Sequence, residues 1–202
     1  MHGGTTRDRL MAAAEELLAA HGSAGMSVRD VLARAAVANA AAVGYHFGGK
    51  DALVATVERR VVDRVLDRRR EALDACRGQE TVEALVDGWV RPVVELRCAG
   101  RGRHAARVFS RIFDEPQTAW DANGAADVLA MGRRYREASA PLLPHLDAAE
   151  LGWRWQCVTA AMAFYAEGAL DLDDPGPTAA DADRHTRRLV VPGTAVLLAP
   201  PA

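Results

Sequence analysis

Residues 39–51 read "NAAAVGYHFGGKD", and "SVRDVLARAAV" precedes them at 27–37. Ser27-x-x-Asp30 is a capping box, in which a hydroxyl accepts from the backbone N–H three residues on. Val28, Val31, Leu32 and Ala35 then share one face, so a short helix follows. After a turn at Ala36–Ala38, Asn39 is a good N-cap for a second short helix running to about Phe47, which Gly48-Gly49 ends. Upstream, Leu10, Ala14, Leu17 and Leu18 line one face of a longer helix closed by His21-Gly22. Three helices, the last two joined by a tight turn, predict a helix-turn-helix arrangement.

The rest of the chain keeps the same period. Apolar residues recur at three and four almost throughout, and no strand-like alternation persists, so the fold class is all-α. A long helix from Lys50 carries Leu53, Val57, Val61 and Val65 on one stripe and ends near Cys76-Gly78. Its arginines alternate with Asp63, Asp67, Glu71 and Asp74, the pattern of a solvated face. Further helices are expected at 80–98 with a kink at Pro92, at 103–114, at 117–139 and at 147–170. "DLDDPGPT" at 171–178 is a loop, and a final helix from about Ala179 should bend or break at Pro192-Gly193. Two parts follow: a helix-turn-helix head over residues 1–49 and a larger helical domain over residues 50–202.

Bulk composition narrows the function. Half of the 202 residues are hydrophobic and the net charge is −2, so a sizeable core is available and disorder is excluded. Residues 1–60 hold seven Lys/Arg against six Asp/Glu, so any basic patch must come from placement. Of 25 basic residues, Lys50 alone is lysine. Cys76, Cys98 and Cys157 share no CxxC spacing, so neither a disulfide framework nor a zinc site is indicated. "MHGGTTRDRL" carries no apolar targeting segment, and no apolar run is long enough to span a bilayer, which points to the cytoplasm. There is no GxSxG, phosphate-binding loop or HExxH, so neither an enzyme nor a cofactor is expected.

A helix-turn-helix reads the major groove with its second helix and braces the first on the backbone. Asn39 suits a bidentate pair with adenine, while Ala40, Ala41 and the bare Gly44 can approach thymine methyls. Tyr45 and His46 end the reading helix, where a phenol and an imidazole can donate to phosphate. Lys50 opens the next helix, whose free N–H groups already favour an anion. Ser27 and Arg29 stand likewise at the start of the first helix of the pair. The alternative for Tyr45 and Phe47 is core packing, and Phe47 takes it, since it shares a face with Val43.

The stretches "SVRDVLARAAV" and "NAAAVGYHFGGKDAL" resemble the TetR family of bacterial transcriptional regulators over about residues 6–55. That family usually has glycine in the turn, where this chain has Ala36-Val37-Ala38 and reads one residue longer. The resemblance implies phosphate contact for Tyr45 and Lys50, a palindromic double-stranded operator, and a homodimer. It also implies a small-molecule ligand that releases a repressor. "RVFSRIFDEPQTAW" and "LGWRWQCVTAAMAFYAEG" resemble the fatty-acid-responsive branch, with planar aromatics as a second ligand class. Phe109, Phe113, Trp120, Met131 and Tyr135 are the candidate pocket residues. Leu151, Trp155, Val158, Met162 and Tyr165, spaced 4-3-4-3, are the candidate dimer seam. The competing readings are a ligand-independent repressor and a helical interaction protein.

Overall fold

The computed structural model describes residues 5–99, 102–114, 117–168 and 177–200. Among the described residues ten α-helices succeed one another: α1 Thr6–Gly25, α2 Val28–Arg34, α3 Ala42–Phe47, α4 Lys50–Ala75 and α5 Val82–Cys98, then α6 Gly102–Ser110, α7 Trp120–Asn123, α8 Ala125–Ser139, α9 Ala148–Glu167 and α10 Ala182–Leu198. Single 3-10 turns precede α7 and α10 and follow α8. Among the described residues there is no strand.

Local chemistry explains where the helices begin and end. Thr5 and Asp8 close a full capping box on α1, and the Thr5 hydroxyl holds the Asp8 carboxyl below its ordinary range. Gly22, at φ 68°, breaks α1 where the sequence indicated, with one further turn to Gly25. Ser27 Oγ accepts the Asp30 N–H at 3.2 Å, but the return contact comes from its own hydroxyl, which donates to Asp30 Oδ2 at 2.5 Å.

The joint between α2 and α3 carries one unusual backbone. Val37 N–H reaches Leu32 O at 3.0 Å and Ala36 N–H reaches Ala33 O at 3.2 Å. That is a Schellman closure, whose C′ residue is ordinarily glycine because it lies in the left-handed region. Here Ala36 occupies it at φ 51°. The turn therefore keeps the glycine-type geometry without the glycine.

Several boundaries differ from the sequence expectation. The reading helix begins at Ala42 rather than Asn39. Asn39 Oδ1 accepts the Ala41 N–H at 3.0 Å and Asn39 O accepts the Ala42 N–H at 3.1 Å, so 39–41 form a turn. The helix expected over 103–114 stops at Ser110 and turns through 111–114. The helix expected over 117–139 is split at Gly124, φ 88°, where an added Cβ would lie 2.7 Å from Val62 Cγ1 on α4. α10 is not broken at Pro192-Gly193; it runs on as one helix to Leu198. Residues 171–176 of the expected loop lie outside the described residues.

α5 is the central helix, packing on α4, α6, α8, α9 and α10. α9 and α10 run antiparallel. Arg154, near the start of α9, donates to Val196 O at 3.1 Å and Pro200 O at 3.0 Å, satisfying carbonyls that the end of α10 leaves free. The buried apolar side chains of all these helices form one continuous cluster.

A left-handed alanine costs about 1 kcal/mol that glycine does not pay. Ala36→Gly is therefore expected to raise Tm by about 2–4 °C at this chain length. A lower Tm in a thermal melt would show that Ala36 does not hold this conformation.

Candidate nucleic-acid interface and inner pocket

The three N-terminal helices pack through Leu10, Ala14, Val31, Ala42 and Val43, all buried. What they leave outside is the set expected to meet DNA. Ser27, Arg29, Asn39, Ala40, Ala41 and Gly44 are exposed, and His46 and Lys50 are half-buried. Tyr45 is 84% exposed, the most open of the large apolar side chains described. Its ring meets His46 edge-on at 5.0 Å, while Phe47 tucks against the core under the Arg7 guanidinium, 5.0 Å from its centroid.

The turn between α3 and α4 exposes backbone donors. Gly48 ends α3 in the left-handed region at φ 89°. Gly49, at φ 147°, is the N-cap of α4 and has no side chain with which to cap it. The first N–H groups of a 26-residue helix therefore face outward beside the Lys50 ammonium. Tyr45 and His46, in the last turn of α3, precede this joint, and Lys50 follows it as the first residue of α4. Asn39, Ala40 and Ala41 lie just before α3, in the turn rather than on the helix.

A second concavity lies in the larger part, open to solvent on the side where Phe113, Leu129, Gln156 and Ala160 are exposed. It is a cavity of about 330 Å³ with walls from α5, α8 and α9. Trp89, Tyr135 and Trp155 form its floor, with ring centroids 5.2 to 6.1 Å apart and each pair edge-on. The three rings are tied in place: Trp89 Nε1 donates to Thr159 Oγ1 at 3.1 Å, Tyr135 OH to Arg69 O at 2.8 Å, and Trp155 Nε1 to Ser139 Oγ at 2.9 Å. Of the expected pocket residues, Phe113 and Tyr135 line this cavity. Phe109 and Met131 are buried in core beside it, and Trp120 packs edge-on against Phe113 at 5.4 Å.

The cavity backs onto a buried cation. Arg69 on α4 has no exposed surface, and its guanidinium stacks 3.5 Å from the Trp89 ring centroid. Nε donates to Trp89 O at 3.1 Å, and Nη1 has no hydrogen-bond partner among the described residues. Burial without a carboxylate to offset it pushes this guanidinium down to about 9, still protonated at neutral pH.

The expected dimer seam requires correction. Leu151, Trp155, Val158, Met162 and Tyr165 are each 5% exposed or less within a single chain, because that face of α9 packs on its own domain. They are core and cannot meet a second chain. The opposite face of α9 repeats the spacing with Trp153, Cys157, Ala160 and Phe164; Trp153 is 63% and Phe164 60% exposed. On α10, Val191 and Leu198, seven residues apart on one face, are also exposed.

The family model described as "Bacterial regulatory proteins, tetR family" matches residues 10–57. The model described as "Tetracyclin repressor-like, C-terminal domain" matches residues 87–195, more than half of the chain. The chain belongs to the TetR family of bacterial transcriptional regulators. Solved TetR-family structures share its fold. One from Bordetella parapertussis superposes with a TM-score of 0.71 at 18% identity, covering 91% of this chain and 93% of that one. The ketosteroid transcriptional regulator of Mycobacterium tuberculosis gives 0.68 at 16% identity, with 96% and 95% covered. The fatty acid degradation regulator of Bacillus halodurans gives 0.65 at 14% identity, with 94% and 97% covered. Among curated protein sequences there is no significant match.

This TetR-family chain is therefore a DNA-binding transcriptional regulator, from a family of regulators and not of enzymes. Among its described residues no helix is long and apolar enough to cross a membrane, and no cluster of three His, Cys, Asp or Glu stands ready for a metal. Sequence reasoning missed Trp89, Arg69 and Arg136 around the cavity and assigned Trp155 to the wrong face. Trp89 and Tyr135 lie 46 positions apart, so no local spacing links them.

At 84% exposure Tyr45 contributes little to folding. Tyr45→Ala is expected to leave Tm within about 1 °C of wild type while weakening DNA binding. A fall of several degrees would place the phenol in the core instead.

Proposed function

We propose that this TetR-family regulator acts in the cytoplasm as a homodimeric repressor that grips a palindromic operator and lets go when a small ligand fills its inner cavity. Residues 1–49 act as the reading head and residues 50–202 as the sensing and dimerising part. The observation that carries the reading is the α3–α4 joint. There, an almost fully exposed Tyr45 stands beside the uncapped start of α4 and Lys50, on a head whose other aromatic, Phe47, is packed away.

On this reading Tyr45, His46, Lys50, Ser27 and Arg29 hold phosphates and set the register. Gly44, Ala40, Ala41 and Asn39 meet base edges. The reading surface holds few long polar side chains, so sequence preference rests on methyl contacts and DNA shape. Two heads bind neighbouring major grooves when they stand roughly 34–36 Å apart.

The outer face of α9 and α10 supports the dimer. Trp153, Phe164, Val191 and Leu198 are apolar, exposed and on adjacent antiparallel helices, a surface that a second copy would cover by two-fold symmetry. The cavity supports the ligand. Its volume of about 330 Å³ lies in the range of small-molecule sites, and its floor is aromatic. Two solved relatives are named for ketosteroid regulation and fatty acid degradation, which agrees with an apolar occupant.

Fluorescence anisotropy with DNA from upstream of the protein's own gene, read across salt concentrations, tests the head. Lys50→Ala is expected to weaken binding on all sequences and to flatten the log–log salt slope by about one unit. An unchanged slope and affinity would put Lys50 off the DNA.

Sedimentation tests the dimer face. Phe164→Arg is expected to give folded monomers, because the charge would be buried only at the interface. Persistence of the dimer in this variant, or a monomeric wild type at micromolar concentration, would exclude the α9–α10 face.

A further inference from the structure

The walls of the cavity are mostly apolar, and one of them carries a guanidinium. Among the described residues Arg136 is the one charged residue that lines the cavity, and no carboxylate does. Its guanidinium lies over Gly132, one turn earlier on α8: a Cβ there would sit 3.6 Å from Arg136 Nη1 and 3.6 Å from Trp89 Cη2, ordinary contact distances that set the guanidinium beside the Trp89 edge. Arg136 is half-buried, and its guanidinium has no ion-pair partner among the described residues.

A second, independent cation stands behind the same floor. Arg69 is fully buried, its guanidinium stacked 3.5 Å from the Trp89 ring centroid, and no carboxylate among the described residues offsets it. An isolated buried cation costs stability, and replacing it with an apolar side chain of similar volume is ordinarily neutral or better. Two uncompensated arginines therefore flank one aromatic floor, and each would be stabilised by an anion entering the cavity.

We propose that the ligand of this cavity is a carboxylate with a compact apolar body, its head group paired to Arg136 at the mouth and its body lying on Trp89, Tyr135 and Trp155. This rests on the reading of the cavity as the ligand site and gives that ligand its chemistry. The planar fork of Arg136 matches a carboxylate in two parallel hydrogen bonds. Arg69 contributes at longer range through the floor, favouring a charged occupant over a neutral one of the same shape. Such a body can be aromatic or aliphatic; the head group is what the two cations select.

The test uses matched acid and alcohol pairs on the full-length protein: naphthoate against naphthalenemethanol, and decanoate against decanol. At pH 7.5 both acids are ionised. Binding is read from tryptophan fluorescence, since Trp89 and Trp155 line the cavity, and from calorimetry. The expected result is that, in whichever pair binds, the acid binds about 10- to 100-fold more tightly, the range of a charge-assisted hydrogen bond. Which pair binds separates an aryl body from an acyl one.

Two variants locate the effect. Arg136→Gln is expected to collapse the acid-to-alcohol ratio toward one while leaving the alcohol affinity and Tm unchanged, and Arg136→Lys to restore part of it. Arg69→Met is expected to lower the ratio with no loss of Tm. An alcohol binding as well as its acid in the wild type would overturn the proposal while leaving the cavity as a ligand site. An acid preference that survives Arg136→Gln would overturn the assignment of the head group. No binding by any of the four probes would remove the ligand site and the proposal with it.

Discussion

One face of α4 is buried along its length. Leu53, Val54 and Val57 pack into the head, Val61, Val62, Val65 and Leu66 continue the same face, and Arg69 and Leu73 carry it past the cavity floor. One rigid element thus belongs to both halves. Lys50, at its first residue, stands at the proposed phosphate site, and Arg69, nineteen positions on, stands behind Trp89; at 1.5 Å per residue the two are about 28 Å apart. Close packing forbids this helix from bending gradually, so a change at one end is delivered to the other as a movement of the whole rod. Gly124 lets α8 approach so closely that the rod lies against the cavity wall, and the Arg59–Asp127 ion pair, 2.6 Å long, spans the same contact.

A second tie runs from the head to the far end of α9. Arg111 donates to both carboxylate oxygens of Glu167, at 2.9 and 2.8 Å, and its Nη1 reaches Ala19 O on α1 at 3.4 Å. Ser110 adds a donor to Glu167 at 2.5 Å. Burial works against the ionised Glu167, yet these hydrogen bonds hold its carboxyl below the usual range. The residue that ends α9, the helix whose outer face would meet a partner, therefore shares one arginine with the head. α4, the packing of α1 on α6 and Arg111 all tie the head to the larger part.

Much of this was legible in the sequence, and what was not has physical causes. The period of three and four, the Ser27–Asp30 cap and the Gly48-Gly49 pair are local signals, and the helices they imply are present. The reading helix starts two residues late, capped at Ala41 instead of Asn39, because Asn39 makes a turn with Ala41 rather than capping a helix, and both uses draw on the same side-chain carbonyl. The α2–α3 turn keeps a glycine geometry at Ala36, which sequence alone does not show because alanine rarely adopts it. α9 was misread for a different reason. Its two apolar stripes, 151/155/158/162/165 and 153/157/160/164, have the same spacing, so periodicity finds both but cannot say which faces inward. The cavity floor joins residues from three helices, and no spacing along one helix reveals such a meeting.

The central claim is that head and cavity are joined through α4 and Arg111, and reciprocity tests it most directly. Operator affinity is measured at fixed salt with the cavity empty and saturated by the tightest-binding probe, and the probe's affinity is measured with and without saturating operator. Coupling through the protein requires both affinities to fall by the same factor, of about 5- to 150-fold. A probe that binds the cavity with an affinity untouched by DNA, while leaving operator binding unchanged, would contradict the account.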